Sequence, residues 1–394
     1  MDNPQNAAPN RNIFSKKYLI LIIIMKFVSI RSNIRDALNT VQRAAGENTN
    51  LPILKNVMIS AGSEGIFLTA TNLELAITAN ISGKVIEHGK ITIPANLISS
   101  LIGNLQSDRL NFEAKGESLE IKTDNYNATL QGLSAEDFPI TPKIADHSHY
   151  LEVKGVFLRE AIQQVVVASQ PSDIRPELNN ILFDFSIETL KLAATDGFRL
   201  AEKTLAANLF TTNFKDPFRV LVPLKTAQEV LRIVTNEDTV KIYRDENQIL
   251  FETENINLIS RLSEGSFPDY TGIIPSSFIT EISIDRDEFL NALKLAAVFG
   301  QKNSELKIVV HPHKKAVEVM SADQAFGENN YFLSAKIQGR EVETIFNVHY
   351  LSDVAKIISG DSIFIGLQED TNPALIKSPT DESYLYILKP ILQA

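Results

Sequence analysis

Three times along the chain, a short alternation of apolar and polar residues gives way at once to apolar residues at helical spacing. The segments are FVSIRSNIRDALNTVQRAAG from Phe27, YLEVKGVFLREAIQQVVVAS from Tyr150 and EISIDRDEFLNALKLAAVFG from Glu281. Period-two alternation suits a half-buried strand. The residues that follow place one apolar stripe on one helix face: Ile34, Leu38 and Val41; Leu158, Ile162 and Val165; Phe289, Leu293 and Ala296. In the third copy Asp285 is placed to cap the helix, with Glu288 three residues on.

A second strand-helix step follows each of these, in ITIPANLISSLIGNL from Ile91, VLVPLKTAQEVLRIV from Val220 and TIFNVHYLSDVAKII from Thr344. Pro94 and Pro223 stand where a first-turn proline belongs, and Asn347 takes the same place as a cap. The landmarks Ala37, Ala161 and Ala292 lie 124 and 131 residues apart, and Pro94, Pro223 and Asn347 lie 129 and 124 apart. Two independent landmarks thus share one period, and a repeat of this length means similar units in tandem. Short alternating runs broken by turn residues, such as VMISAGSEGIFLTAT and VKIYRDENQILFET, read as antiparallel hairpins. The expected fold class is α+β: three tandem similar domains, each with two helices packed on antiparallel sheets, over residues 25–148, 149–278 and 279–394.

Residues 1–24 fall outside the repeat and are expected to be an N-terminal extension, disordered or lying upstream of the true start. The apolar run from Tyr18 to Ile24 is far shorter than the roughly 20 residues a membrane helix needs. Lys16 and Lys17 before it outline a secretory signal, but no small-residue cleavage site follows.

Composition narrows the chemistry. The 394 residues include no cysteine, which excludes disulfides, thiolate metal sites and a cysteine nucleophile, and fits a reducing cytoplasm. A formal charge of -10 repels nucleic acid unless basic groups gather on one surface. The expected helices do lean that way. Arg31, Arg35, Arg43, Arg159, Lys225, Arg232, Arg286, Lys294 and Lys356 outnumber Asp36, Glu160, Glu229, Asp285, Asp287, Glu288 and Asp353 by two.

No catalytic constellation emerges. GKVIEHGK from Gly83 has the wrong glycine spacing for a phosphate loop, and Ile91 stands where Ser or Thr would hold magnesium. His147 with His149, and His311 with His313, have alternate spacing but no evident third ligand, so no metal site and no cofactor is expected. Asp285, Asp287 and Glu288 read as helix capping, and Asp196 as a turn residue. The competing reading is a magnesium-dependent nuclease or nucleotidyltransferase acting on DNA, which would need clustered carboxylates.

Five motifs in order carry a family resemblance. LPILKNV from Leu51, LAATDGFRLAE from Leu192, SEGSFPDY from Ser263, FNVHYLSDV from Phe346 and the tail YILKPIL are similar to segments of the bacterial DNA sliding clamps, the beta subunits of DNA polymerase III. The resemblance runs from Met25 to the C-terminus. Phe198 replaces a frequent histidine, and Thr271-Gly272 replaces basic residues.

Membership implies a non-catalytic, cytoplasmic processivity factor of chromosomal replication, with no cofactor and no membrane. It implies a homodimeric ring, closed head to tail, that slides on double-stranded DNA without sequence preference. The implied partners are a clamp loader, the DNA polymerase III catalytic subunit, and other polymerases and repair proteins that carry short linear motifs. By the same resemblance, the peptide pocket draws on Leu178, Thr195, Gly197, Phe198, Arg199 and Leu200, with Arg199 holding the peptide's polar groups. Pro268, Ile273, Asn347 and Tyr350 add to it, with Ile387, Leu388, Lys389, Pro390 and Ile391 of the tail. The DNA-facing set is Arg35, Arg43, Arg159, Arg175, Lys225, Arg232, Lys294 and Lys356, and the subunit interface joins Ala128 and Leu130 to Val298 and Phe299.

Overall fold

The computed structural model describes residues 24–46, 50–299, 304–323, 327–369 and 371–392. The expected extension therefore lies outside the described residues, apart from Ile24, where the first strand starts. The described residues form six α-helices: α1 Arg31–Val41, α2 Ala95–Asn104, α3 Gly155–Val166, α4 Leu224–Ile233, α5 Arg286–Phe299 and α6 Val348–Ile357.

Each strand-helix step has its physical cause in the local sequence. All nine residues of the three expected apolar stripes are buried. The Asp285 carboxylate accepts from the Glu288 amide at 2.8 Å, and Asn347 Oδ1 accepts from the amides of His349 and Tyr350. Pro94 and Pro223 sit one position earlier than expected. They are the last residues of strands Gly89–Pro94 and Phe218–Pro223 and stand at the N-cap, not in the first turn. A strand-ending proline stops the ladder and pre-sets the turn into the helix.

The repeat extends to single hydrogen bonds. The first helix of each unit donates its leading amide to an aspartate carbonyl: Arg31 to Asp108 at 2.7 Å, Gly155 to Asp238 at 2.7 Å, and Arg286 to Asp361 at 2.9 Å. Gly155 fits its place because a Cβ there would lie 2.0 Å from the Thr235 carbonyl oxygen. The glycine-rich stretch from Gly83 forms strands Gly83–Glu87 and Gly89–Pro94, not a phosphate loop.

The sheets do not stop at unit boundaries. Each unit has a layer of five strands and a layer of four. The five-stranded layer of the first unit ends on Asn127–Gln131. That of the second unit ends on Ile256–Arg261, which pairs antiparallel with Leu75–Ile81, the edge of the first unit's four-stranded layer. Together they make one nine-stranded sheet. At the next boundary Asp381–Leu388 pairs in the same way with Arg199–Ala206, within a twelve-stranded sheet. In the third unit the long strand Gly327–Gly339 serves both layers. Its first part pairs with Ala316–Asp323 and its second part with Thr280–Asp285.

Candidate partner cleft, helix face and open edges

The two unit boundaries carry the same hairpin. At the second, Thr195 Oγ1 donates to the Arg199 carbonyl at 2.6 Å, the Gly197 amide donates back to Thr195 Oγ1, and the Phe198 amide donates to Asp196 Oδ1. At the first, Thr71, Leu73, Leu75, Glu74 and Asn72 repeat those three bonds. Both hairpins put their third residue in the left-handed region, Leu73 at φ 79° and Gly197 at φ 91°. Such a conformation is ordinary for glycine and uncommon for leucine. Beside the bare Gly197 backbone lies a cleft of about 140 Å³.

Leu178, Thr195, Gly197, Phe198, Arg199, Leu200, Pro268, Ile273, Ile387 and Lys389 line this cleft. Its floor is apolar, and Phe198 stands at the rim with 64% of its surface exposed. The other expected pocket residues stand behind the lining. Asn347 caps α6, Leu388 is buried, and the Ile391 amide donates to the Ile345 carbonyl, which pins the tail around Pro390. Three lining residues were missed for the cleft: Arg175, Asp269 and Tyr270. The last two directly follow Phe267-Pro268, so the motif itself carried the signal. Hydrogen bonds from Thr271 hold the Asp269 carboxyl below the usual range, so the rim carries a full negative charge there. Burial pushes the Tyr270 phenol well up, and its hydroxyl donates to Glu202 at 2.6 Å.

Arg199 is held within the chain on three sides. It is 8% exposed, and its Nε and Nη1 donate to Asp196 at 2.9 Å and Asp353 at 2.8 Å. Its guanidinium also lies 4.0 Å from the centre of the Tyr350 ring. A planar fork with two carboxylates and a ring face is a structural tie between the hairpin and α6, with little left for a peptide.

The basic residues expected to face DNA divide into three groups. Arg43, Lys225, Lys294 and Lys356 are exposed. Arg35 and Arg232 are ion-paired with Asp36 and Glu229 on their own helices. Arg159 and Arg175 also have partners within the chain. Arg159 Nη1 donates to the carbonyls of Leu231 and Val234 at the end of α4, satisfying groups the helix leaves open. Arg286 does the same for α6, at Ala355 and Lys356. Arg175 pairs with Glu177 and lines the cleft instead.

Ala128 and Leu130 lie on Asn127–Gln131, which pairs on one side with Ser118–Lys122 and has no strand on its other side among the described residues. Val298 is exposed at the end of α5, and the Phe299 ring lies 3.9 Å from where a Cβ on Gly327 would stand. Gly327 begins the other open edge, since Gly327–Ser334 pairs only with Ala316–Asp323. Of the histidine pairs, His149 contacts Asp146 and His311 Nε2 contacts Glu318 at 2.7 Å. No cluster of three or more potential metal ligands occurs among the described residues, and no described helix is long and apolar enough to cross a membrane.

Removing the Arg199 guanidinium strands Asp196, whose side chain is 5% exposed. Arg199→Met is therefore expected to lower unfolding stability by about 3 kcal/mol in urea titration. A loss below about 1 kcal/mol would show that the tie is not structural.

Known proteins share this architecture. The family models described as DNA polymerase III beta subunit N-terminal, central and C-terminal domain match residues 25–142, 152–269 and 271–392. The chain is 26% identical over 380 residues to the beta sliding clamp of Bacillus subtilis, covering 93% of this chain and 99% of that one. It is 27% identical over 374 residues to the beta sliding clamp of Synechococcus elongatus, with the same coverage. The crystal structure of the Bacillus subtilis DNA polymerase sliding clamp superimposes with a TM-score of 0.88 at 26% identity, over 94% of this chain and 100% of that chain. A Pseudomonas aeruginosa sliding clamp with ligand gives 0.87 at 25% identity. Three domain matches in order, over one fold and nearly the whole chain, place this protein in the family of bacterial DNA polymerase III beta subunits, the beta sliding clamps.

Proposed function

We propose that two copies of this chain close head to tail into a ring around duplex DNA, and that the ring is a non-catalytic processivity factor of chromosomal replication. One observation carries the reading. Two of the three boundary strands already pair across unit boundaries, and among the described residues one boundary edge of each kind is left unpaired. An open edge is a template for another strand. Pairing unlike edges between copies is a heterologous contact, which closes when the rotations complete a circle.

The internal boundaries supply the register. Ser260 stands opposite Leu75 at the first, and Leu388 stands opposite Arg199 at the second. The corresponding positions put Leu130 opposite Gly327 and Ala128 opposite Asn329. The partner's strand would then lie beside Val298 and Phe299 at the end of α5, with Leu130 kept in the core of its own unit.

Arg43, Lys225, Lys294 and Lys356 supply phosphate attraction from the helices, with no demand for base contacts. Weak attraction suits sliding, because enclosure gives the retention that affinity does not. The cleft at Gly197 suits short linear motifs in the flexible tails of partners: apolar side chains enter a preformed groove, and a few polar rim groups set direction. The clamp loader, the DNA polymerase III catalytic subunit, and other polymerases and repair proteins are the proposed occupants, in the cytoplasm.

Loaded on nicked circular DNA by a clamp loader with ATP, the protein is expected to co-elute with DNA in gel filtration and to be released when the circle is cut. Retention on linear DNA with free ends would contradict enclosure.

Gly197→Leu copies the first boundary, where Leu73 already holds the same backbone conformation. It is expected to weaken binding of a polymerase-tail peptide at least about ten-fold in fluorescence anisotropy, with the fold kept. Unchanged affinity would move the peptide site elsewhere.

A further inference from the structure

The two internal boundaries share one plan but are not equally tied. At the second, Lys203 is only 5% exposed, and its ammonium donates to Glu160 on α3 and to Asp381 of the next unit, each at 3.1 Å. One cation therefore bolts a helix of the second unit to a strand of the third. The Tyr384 hydroxyl, also from the third unit, donates to the Gln164 carbonyl on α3 at 3.1 Å.

The first boundary has lost each of these parts. Ala79 stands eight residues after Thr71, as Lys203 stands eight after Thr195. Asp36 precedes buried Ala37 as Glu160 precedes buried Ala161. Ile256 pairs with Ala79 as Tyr384 pairs with Lys203. Thr253 stands three residues before Ile256, as Asp381 stands three before Tyr384. A methyl thus replaces the ammonium, an isoleucine replaces the tyrosine hydroxyl, and a threonine replaces the second carboxylate.

What remains is a cleft of about 270 Å³, lined by Asn33, Asp36 and Thr40 of α1 with Ala79, Asn80 and Asn255. Asp36 is engaged by Arg35 of its own helix. Among the described residues, no side-chain hydrogen bond or ion pair joins α1 to the second unit. Elsewhere at this boundary Arg261 and Glu74 meet at 3.7 Å with both side chains largely exposed, a kind of pair that contributes little. Both boundaries have five paired residues, and the first adds a backbone bond from the Asn80 amide to the Asn255 carbonyl at 2.8 Å, so what the first lacks is the side-chain ties.

We infer that the first boundary is the hinge at which each subunit flexes, while Lys203 keeps the second and third units together as one rigid body. A closed ring has to open to admit DNA, and the inference rests on the ring reading for that use alone. Local opening of this kind is read by amide exchange.

In native-state hydrogen exchange of the full chain, amides of Leu75–Ile81 are expected to exchange at least about ten-fold faster than those of Arg199–Ala206. Grafting the bolt with Ala79→Lys and Thr253→Asp is expected to remove the difference, and Lys203→Met to speed exchange at the second boundary. Equal protection in the unsubstituted protein, or faster exchange at the second boundary, would overturn the hinge. That comparison stands even where a variant fails to fold. Light scattering on the same sample reports the ring separately: a monomer would defeat the ring reading, and the exchange ratio would still decide the hinge.

Discussion

Everything in this molecule depends on where its strand edges go. Backbone amides and carbonyls at a sheet edge need partners, and an edge without one invites another strand. Each unit here ends in two such edges, of different kinds. Inside the chain the edges of neighbouring units satisfy one another, so three similar units are joined through shared nine- and twelve-stranded sheets rather than strung as beads. The helices then have one face left to occupy. Their apolar stripes are buried against the sheets, and their polar faces carry what excess of basic charge the chain has.

On this repeated frame, function arises where the copies differ. The hairpin at each boundary keeps the same hydrogen bonds and the same left-handed conformation, with leucine at the first and, beside a cleft, glycine at the second. The slot that holds Lys203 at the second boundary holds Ala79 at the first. Arg159 and Arg286 each close the end of a neighbouring helix, so a basic residue on a helix is not by that fact a basic residue facing DNA. An acidic protein can still attract phosphate weakly through a few exposed lysines and one arginine, and weak attraction is all that sliding permits.

Much of the fold was legible from residue patterns, because alternation and helical spacing are local. The six helices, the cap at Asn347 and the buried stripes followed from neighbouring residues alone. The pairing of Ile256–Arg261 with Leu75–Ile81 did not, because it joins positions far apart along the chain and leaves no local mark. The site divided in the same way. Residues within quoted motifs, such as Gly197 and Pro268, line the cleft, and Asp269 and Tyr270 were readable from the same stretch. Charge counting could not foresee the carbonyls that Arg159 reaches, since it sees only sign and helix position, and the resemblance that named Arg175 did not show its pairing with Glu177. The ties of Arg199 were hidden for a related reason: its two carboxylate partners come from separate units, one of them on α6.

The central claim is that the two open edges meet between copies in the register of the internal boundaries. That register places Thr129 of one subunit opposite Glu328 of the other, and both are exposed in a single chain. Paired positions on adjacent antiparallel strands bring Cα atoms to about 4.5–5.5 Å, within the range a disulfide spans. The chain has no cysteine of its own, so the variant Thr129→Cys with Glu328→Cys reports only this contact. Mild oxidation should give a covalent dimer on denaturing gels, and a ring sealed at both interfaces should no longer be loaded onto circular DNA until reduced. Oxidation that yields only monomer, or a ladder of higher oligomers, would contradict the closed head-to-tail ring.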